Sequence, residues 1–211
     1  MAAAPQTLII ACGALAHEIV ALIRAHGWGQ FRVQCLPAEL HNRPAEIPGA
    51  VRAKLRELRS GYDHVFVAYA DCGTAGQLDA VLATEGVERL PGAHCYEFFA
   101  GSRAFAALSE QEPGTFYLTD FLARHFDRLI VRGMGLDRHP ELLPMLFGNY
   151  RRLVYLAQRP NPELEQRARA AAERLGLTYE YRHTGYGDLE RSLAAQAARQ
   201  PSEKEVQWRP N

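Results

Sequence analysis

Short runs of β-forming residues alternate with segments of helical period through the first part of the chain. Thr7 to Ala11 is apolar throughout. From Ala14 to His26, Leu15, Ile19, Leu22 and Ile23 recur at three- and four-residue spacing, and Gly27 ends the run. Phe31 to Leu36 alternates like a strand. Pro48 then opens a helix to about Arg59 with Val51, Leu55 and Leu58 on one face. A strand from Val65 to about Ala70 leads into a helix over about Ala75 to Thr84. This β-α-β-α-β-α order admits few folds, because strands joined through helices run parallel and the helices cover the sheet faces.

Beyond it, Glu88 to Leu90 reads as a short fourth strand, and Tyr96 to Ser109 as mainly helical. Phe116, Leu118, Phe121, Leu122 and Phe126 suggest a helix over Thr115 to Phe126, and Arg128 to Val131 a strand. The alternation then resumes: Leu153 to Leu156 strand, Pro162 to Leu175 helix, Thr178 to Arg182 strand, Asp188 to Ala198 helix. The expected fold is a single α/β domain over residues 1–199, a mostly parallel open sheet with helices on both faces and a helical insertion in its middle. Residues 200–211 have no apolar periodicity and are expected to form a disordered tail.

Formal net charge is zero, so no basic field points to nucleic acid. No apolar run approaches the ~20 residues of a membrane span. Met1 to Gln6 lacks the positive region of a secretion signal, which makes the cytoplasm the expected compartment. Four cysteines in a reducing compartment point to metal binding or catalysis more than to disulfides.

Three of them fall at comparable places. Cys12 follows the first strand, Cys72 follows the third in Asp71-Cys72-Gly73, and Cys95 follows His94 just past Pro91-Gly92. Ligands of open α/β sheets bind at the carboxyl ends of the strands, so Cys12, Cys72 and Cys95 are expected to meet there as metal ligands. His41 or His94 is the expected fourth member. Thiolates and imidazole suit zinc, and thiolates hold iron–sulfur clusters. Asp71 and Glu97 are the candidate acid/base groups, and Asn42 and Arg43, in the loop after the second strand, the candidate substrate-binding ones. Cys35, inside an alternating strand, is assigned to the core. His17 and Glu18 lie on the first helix, where a solvated face is the expectation. Nucleotide loops and serine-hydrolase elbows are absent from the sequence. Asp137-Arg-His-Pro-Glu141 has the start of the corrinoid-binding Asp-x-His-x-x-Gly loop, but Leu142 stands where the glycine is required. A helix cap ahead of Pro140 accounts for that stretch.

Several stretches occur together: Cys12-Gly-Ala-Leu-Ala-His-Glu18, Leu36-Pro-Ala-Glu-Leu-His-Asn-Arg-Pro44, Tyr69-Ala-Asp-Cys-Gly-Thr74, His94-Cys-Tyr-Glu-Phe98, Phe116-Tyr-Leu-Thr-Asp-Phe121, Gly135-Leu-Asp-Arg-His-Pro-Glu141 and Phe147-Gly-Asn-Tyr-Arg151. In this order, over about Leu8 to Glu190, they resemble the family known as domain of unknown function 1638. The resemblance implies a part in cobalamin-dependent one-carbon transfer, extending to methionine biosynthesis, as a methyltransferase or a subunit of one. It implies a corrinoid carried on a partner protein, a methyltransferase as partner, and a small-molecule thiol or methyl donor. Zinc ranks ahead of an iron–sulfur cluster as the metal. Two rival readings are a non-catalytic partner anchored through aromatics of Phe116 to Phe126, Phe147 and Tyr150, and a thiol enzyme with Cys72 or Cys95 as nucleophile and His94 as base.

Overall fold

The structure, a computed structural model, describes residues 6–199; the expected tail at 200–211 lies outside them. The first half follows the predicted alternation: β1 (Thr7–Cys12), α1 (Ala16–His26), β2 (Phe31–Leu36), α2 (Ile47–Leu58), β3 (His64–Ala68), α3 (Gln77–Glu85) and β4 (Glu88–Arg89). These strands form a parallel sheet in the order β2-β1-β3-β4. Every residue of β1 is buried, because the strand is central and covered on both faces. Ala11 pairs with Cys35 on one side and Ala68 on the other, so Cys12, the loop after β2 and the loop after β3 leave the sheet at one edge.

The strands of the second half form a sheet of their own. After α4 (Cys95–Ala100) and α5 (Ser102–Gln111) come β5 (Thr115–Leu118), α6 (Asp120–Phe126), α7 (Leu143–Phe147), β6 (Arg152–Ala157), α8 (Pro162–Leu175), β7 (Thr178–His183) and α9 (Gly187–Ala197). The order is β5-β6-β7, again all parallel. The parallel α/β class is as expected, but the strands divide between two sheets. The segment read as one helix over Thr115 to Phe126 is a strand and then a helix, joined at Thr119, whose hydroxyl accepts from the Leu122 N–H. Arg128 to Val131, read as a strand, belongs to a π-helical turn over Asp127–Arg132 that continues α6. Its Leu129, Ile130 and Val131 are buried from that helical conformation.

α4 and α9 both join the halves. Phe98 and Phe99 of α4 enter the core of the first sheet, while Tyr96 and Ala100 pack against Tyr117, Val154 and Leu156 of the second. The chain leaves β7 and returns, so that Leu189 and Leu193 of α9 are fully buried in the first core. The return is tight: a Cβ on Gly187 would lie 2.3 Å from the Phe98 carbonyl oxygen, and φ there is +50°. A His26–Glu190 hydrogen bond (2.8 Å) and an Arg199–Glu88 ion pair (2.8 Å) span the same seam. No helix among the described residues is long and apolar enough to cross a membrane.

Candidate functional site

The carboxyl edge of the first sheet gathers the predicted thiols. Cys12 ends β1, buried, with its sulfur 3.5 Å from His41 Nδ1 and accepting the Ala14 N–H at 3.4 Å. His41 reaches it from a 3-10 turn over Ala38–Asn42 after β2. Cys72 arrives from the loop after β3. Beyond Ala68 that loop stays paired with the segment after β4, Asp71 N–H to Gly92 O and Cys72 N–H to Ala93 O. The same pairing draws Cys95, at the start of α4, towards Cys72.

Cys72 sits in an unusual backbone. Its φ is +51° and that of Ala75 is +53°, with Gly73 and Gly76 also left-handed. A non-glycine residue there costs about 1–2 kcal/mol, and such strain concentrates at functional sites. Asp71 holds the turn: its carboxylate accepts from the Thr74 hydroxyl (2.7 Å), the Ala75 N–H (3.1 Å) and the Gly76 N–H (2.9 Å). These bonds hold its carboxyl below the usual range, the Thr74 bond having the largest effect. The turn lies against the loop after β2, since a Cβ on Gly73 would be 3.6 Å from the Pro44 side chain.

Burial dominates the electrostatics of the cluster. It pushes the Cys12 thiol up to about 12, opposed by the Ala14 N–H and reinforced by charge at Cys72. Cys72 is raised to about 11 by burial, with Asp71 adding and Arg89 subtracting. Cys95 is raised well above its ordinary value, by burial and then by Cys72 and Cys12. His41 is lowered by burial and by His94, against a hydrogen bond to the Ala38 carbonyl, so its imidazole is neutral at physiological pH. Above Cys12 lies Tyr69, fully buried, its hydroxyl without a hydrogen-bond partner of acceptable geometry although close enough to the thiol to oppose its rise.

Beside the cluster is a cavity of about 230 Å³ shared by both halves. His41, Asn42, Cys95 and Tyr96 supply its polar wall, and Phe116, Phe121 and Ile130 part of its apolar one. The second half also carries a buried polar network that the sequence reading missed. Asp120 Oδ1 accepts from the Tyr155 hydroxyl (2.7 Å) and the Gln158 N–H (3.1 Å), and Oδ2 from the Arg159 N–H (3.2 Å). The signal for it was a carboxylate directly after a strand, concealed while that strand was read as helix.

The other predicted site residues are placed as follows. Glu97 turns back on its own loop, Oε2 accepting from the Ala93 N–H at 2.8 Å, a cap for Pro91 to Ala93. Neither Asp71 nor Glu97 lines the cavity, in contrast to Asn42. Arg43 is exposed and bonded to Glu46 at 3.3 Å. His94 is exposed at the N-cap of α4. Cys35 is exposed rather than in the core, because β2 is an edge strand and its alternation points that side chain outward. Glu18, expected on a solvated face, is buried. Phe147 and Tyr150 pack with Phe116 at ring distances of 5.3 and 5.6 Å. Among the described residues no three His, Cys, Asp or Glu side chains stand close enough together to hold a metal ion.

No curated protein and no solved structure matches this chain. The family model described as protein of unknown function (DUF1638) matches residues 35–193. That span takes in the His41 loop, the Cys72 turn, Cys95 and the whole second sheet but begins after β1 and Cys12, and the chain belongs to the DUF1638 family.

Proposed function

We propose that Cys12, Cys72 and Cys95, completed by His41, hold a soft metal ion, and that the protein serves cobalamin-dependent one-carbon methyl transfer as a methyltransferase or a subunit of one. The observation that carries the metal reading is the fully buried Tyr69 hydroxyl left without a partner at the sheet edge that also carries Cys12 and Cys72. Buried polar groups are nearly always satisfied, and a metal-bound thiolate at Cys12 would give the Tyr69 hydroxyl an acceptor. The donor types fit zinc first and an iron–sulfur cluster second. His94 is too exposed to be the preferred fourth ligand.

Zinc bound here would supply Lewis acidity, enough to hold a substrate thiol as thiolate near neutral pH. The residues of the chain have their own parts. Asp71 fixes the left-handed turn that presents Cys72, and His41 offers a neutral imidazole. The apolar walls of the cavity exclude water from a small substrate, while Asn42 and Tyr96 give it polar contacts. The corrinoid and its methyltransferase remain partners, as the family resemblance implies.

The Cys12–His41 contact favours a second reading, a thiol enzyme, but with a different pair from Cys72 or Cys95 and His94. The raised thiol and lowered imidazole make that pair neutral and weakly nucleophilic. Anaerobic purification with metal quantification and a visible spectrum decides between them. We expect about one equivalent of zinc, or an iron–sulfur chromophore, lost to a similar degree in Cys12→Ser, Cys72→Ser and Cys95→Ser. Metal-free protein that retains activity defeats the proposal, and loss of function at Cys12 alone favours the thiol enzyme.

A further inference from the structure

A second cavity, of about 250 Å³, opens between α1 and the second half of the molecule. By the volume of liquid water it has room for about eight molecules. Its charged groups come from every element around it: His17, Glu18 and Arg24 from α1, Asp120 and Arg124 from α6, and Arg159 after β6. Gln158 and the Tyr186 ring complete the wall. Asp120 is fully committed, because both its oxygens accept hydrogen bonds from Tyr155, Gln158 and Arg159.

Two other groups are not committed. Glu18 is 5% exposed, and its Oε2 is buried with no hydrogen-bond partner. Arg124 Nη1 is buried and equally without one. They line the same cavity yet form no ion pair with each other, although Arg124 is near enough to favour the Glu18 carboxylate. Leaving a buried charge unpaired is among the costlier arrangements in a folded protein. A molecule bridging the two would remove both vacancies. It needs an acceptor, best a planar carboxylate, for the guanidinium, and an N–H or O–H donor for the carboxylate oxygen. Arg24 and Arg159 on the same wall add positive charge that favours an anion.

We propose that this cavity binds a small α-hydroxy- or α-amino-carboxylate, its carboxylate on Arg124 and its hydroxyl or amino group on Glu18 Oε2. The site uses none of the cysteines, so it stands or falls separately from the metal reading.

The test is a thermal-shift and calorimetric series on the full chain with glycolate, L-lactate, glycine and L-alanine. Acetate and propionate, which lack the donor, are the matched controls. We expect at least one α-substituted acid to bind with a Kd in or below the millimolar range, and roughly tenfold tighter than its control. Preference for the hydroxy pair or the amino pair identifies which donor Glu18 takes. Glu18→Met and Arg124→Met, which keep the packing, should each weaken that binding by roughly tenfold or more. The wild-type comparison needs no variant, so a variant that fails to fold leaves the test intact. Absence of binding by all four acids at about 10 mM, equal binding of acetate and propionate, or binding that survives both substitutions overturns the proposal.

Discussion

Replacing Glu18 by Gln should make the protein more stable, and only above mildly acid pH. Burial raises the Glu18 carboxyl from 4.5 to about 7, with the neighbouring Asp120 charge adding to the effect and Arg124 opposing it. The native pKa is the higher one, so below pH 4.5 the group is protonated in both states and costs nothing. As pH rises the unfolded chain releases this proton while the native protein keeps it, and native stability falls until about pH 7. The difference of about 2.5 pH units, at about 1.36 kcal/mol each, amounts to a loss of about 3 kcal/mol. The Gln side chain keeps the shape and does not ionise. Urea unfolding of wild type and Glu18→Gln from about pH 4 to about pH 8, without added carboxylates, measures the difference directly. The gap in favour of the variant should open by about 3 kcal/mol across that range, whatever its starting value at the acid end. A gap that stays constant with pH would refute the reasoning, because Glu18 would then be paired or hydrated in solution.

Three further outcomes are expected. Tyr155→Phe removes the 2.7 Å bond to buried Asp120 and should cost about 1.5–3 kcal/mol in the same denaturant assay. Ala75→Gly should stabilise by roughly 0.5–1 kcal/mol, since relief of the left-handed backbone (φ +53°) exceeds the added entropy of the unfolded chain; destabilisation would mean that the turn is not strained. In metal-free protein at about pH 7.5, iodoacetamide followed by peptide mass mapping should label exposed Cys35 first, while Cys12 and Cys72, buried and raised to about 12 and about 11, react slowly.

Much of the first sheet could be read from residues alone, because each of its long strands is bounded by Gly or Pro and followed by a helix of clear period. The placement of Cys12 and the Cys72 loop at one edge was legible for the same reason: a parallel sheet sends all its carboxyl ends there. The second half was harder. Thr115 to Leu118 and Asp120 to Phe126 share one run of aromatic and apolar residues, and only the Thr119 cap separates strand from helix. Ile130 and Val131 are β-branched but follow directly on α6, and continuing the helix buries them more readily than a new strand would. Glu18 could not be seen as buried, since the face it occupies on α1 is covered by residues more than a hundred positions away. Cys35 failed in the opposite direction. Alternation within a strand does not reveal whether that strand lies at the margin of its sheet.

The return of α9 carries a consequence for how the protein is made. Emerging from the ribosome, the first sheet can pair its strands long before Leu189 and Leu193 exist, and until those side chains arrive part of its apolar surface has no cover. The half that is synthesised first is thus the half that is completed last. A chain stopped just short of residue 187 would contain both sheets in full and still expose the unfilled seat of its final helix, where a chaperone or a protease would recognise it.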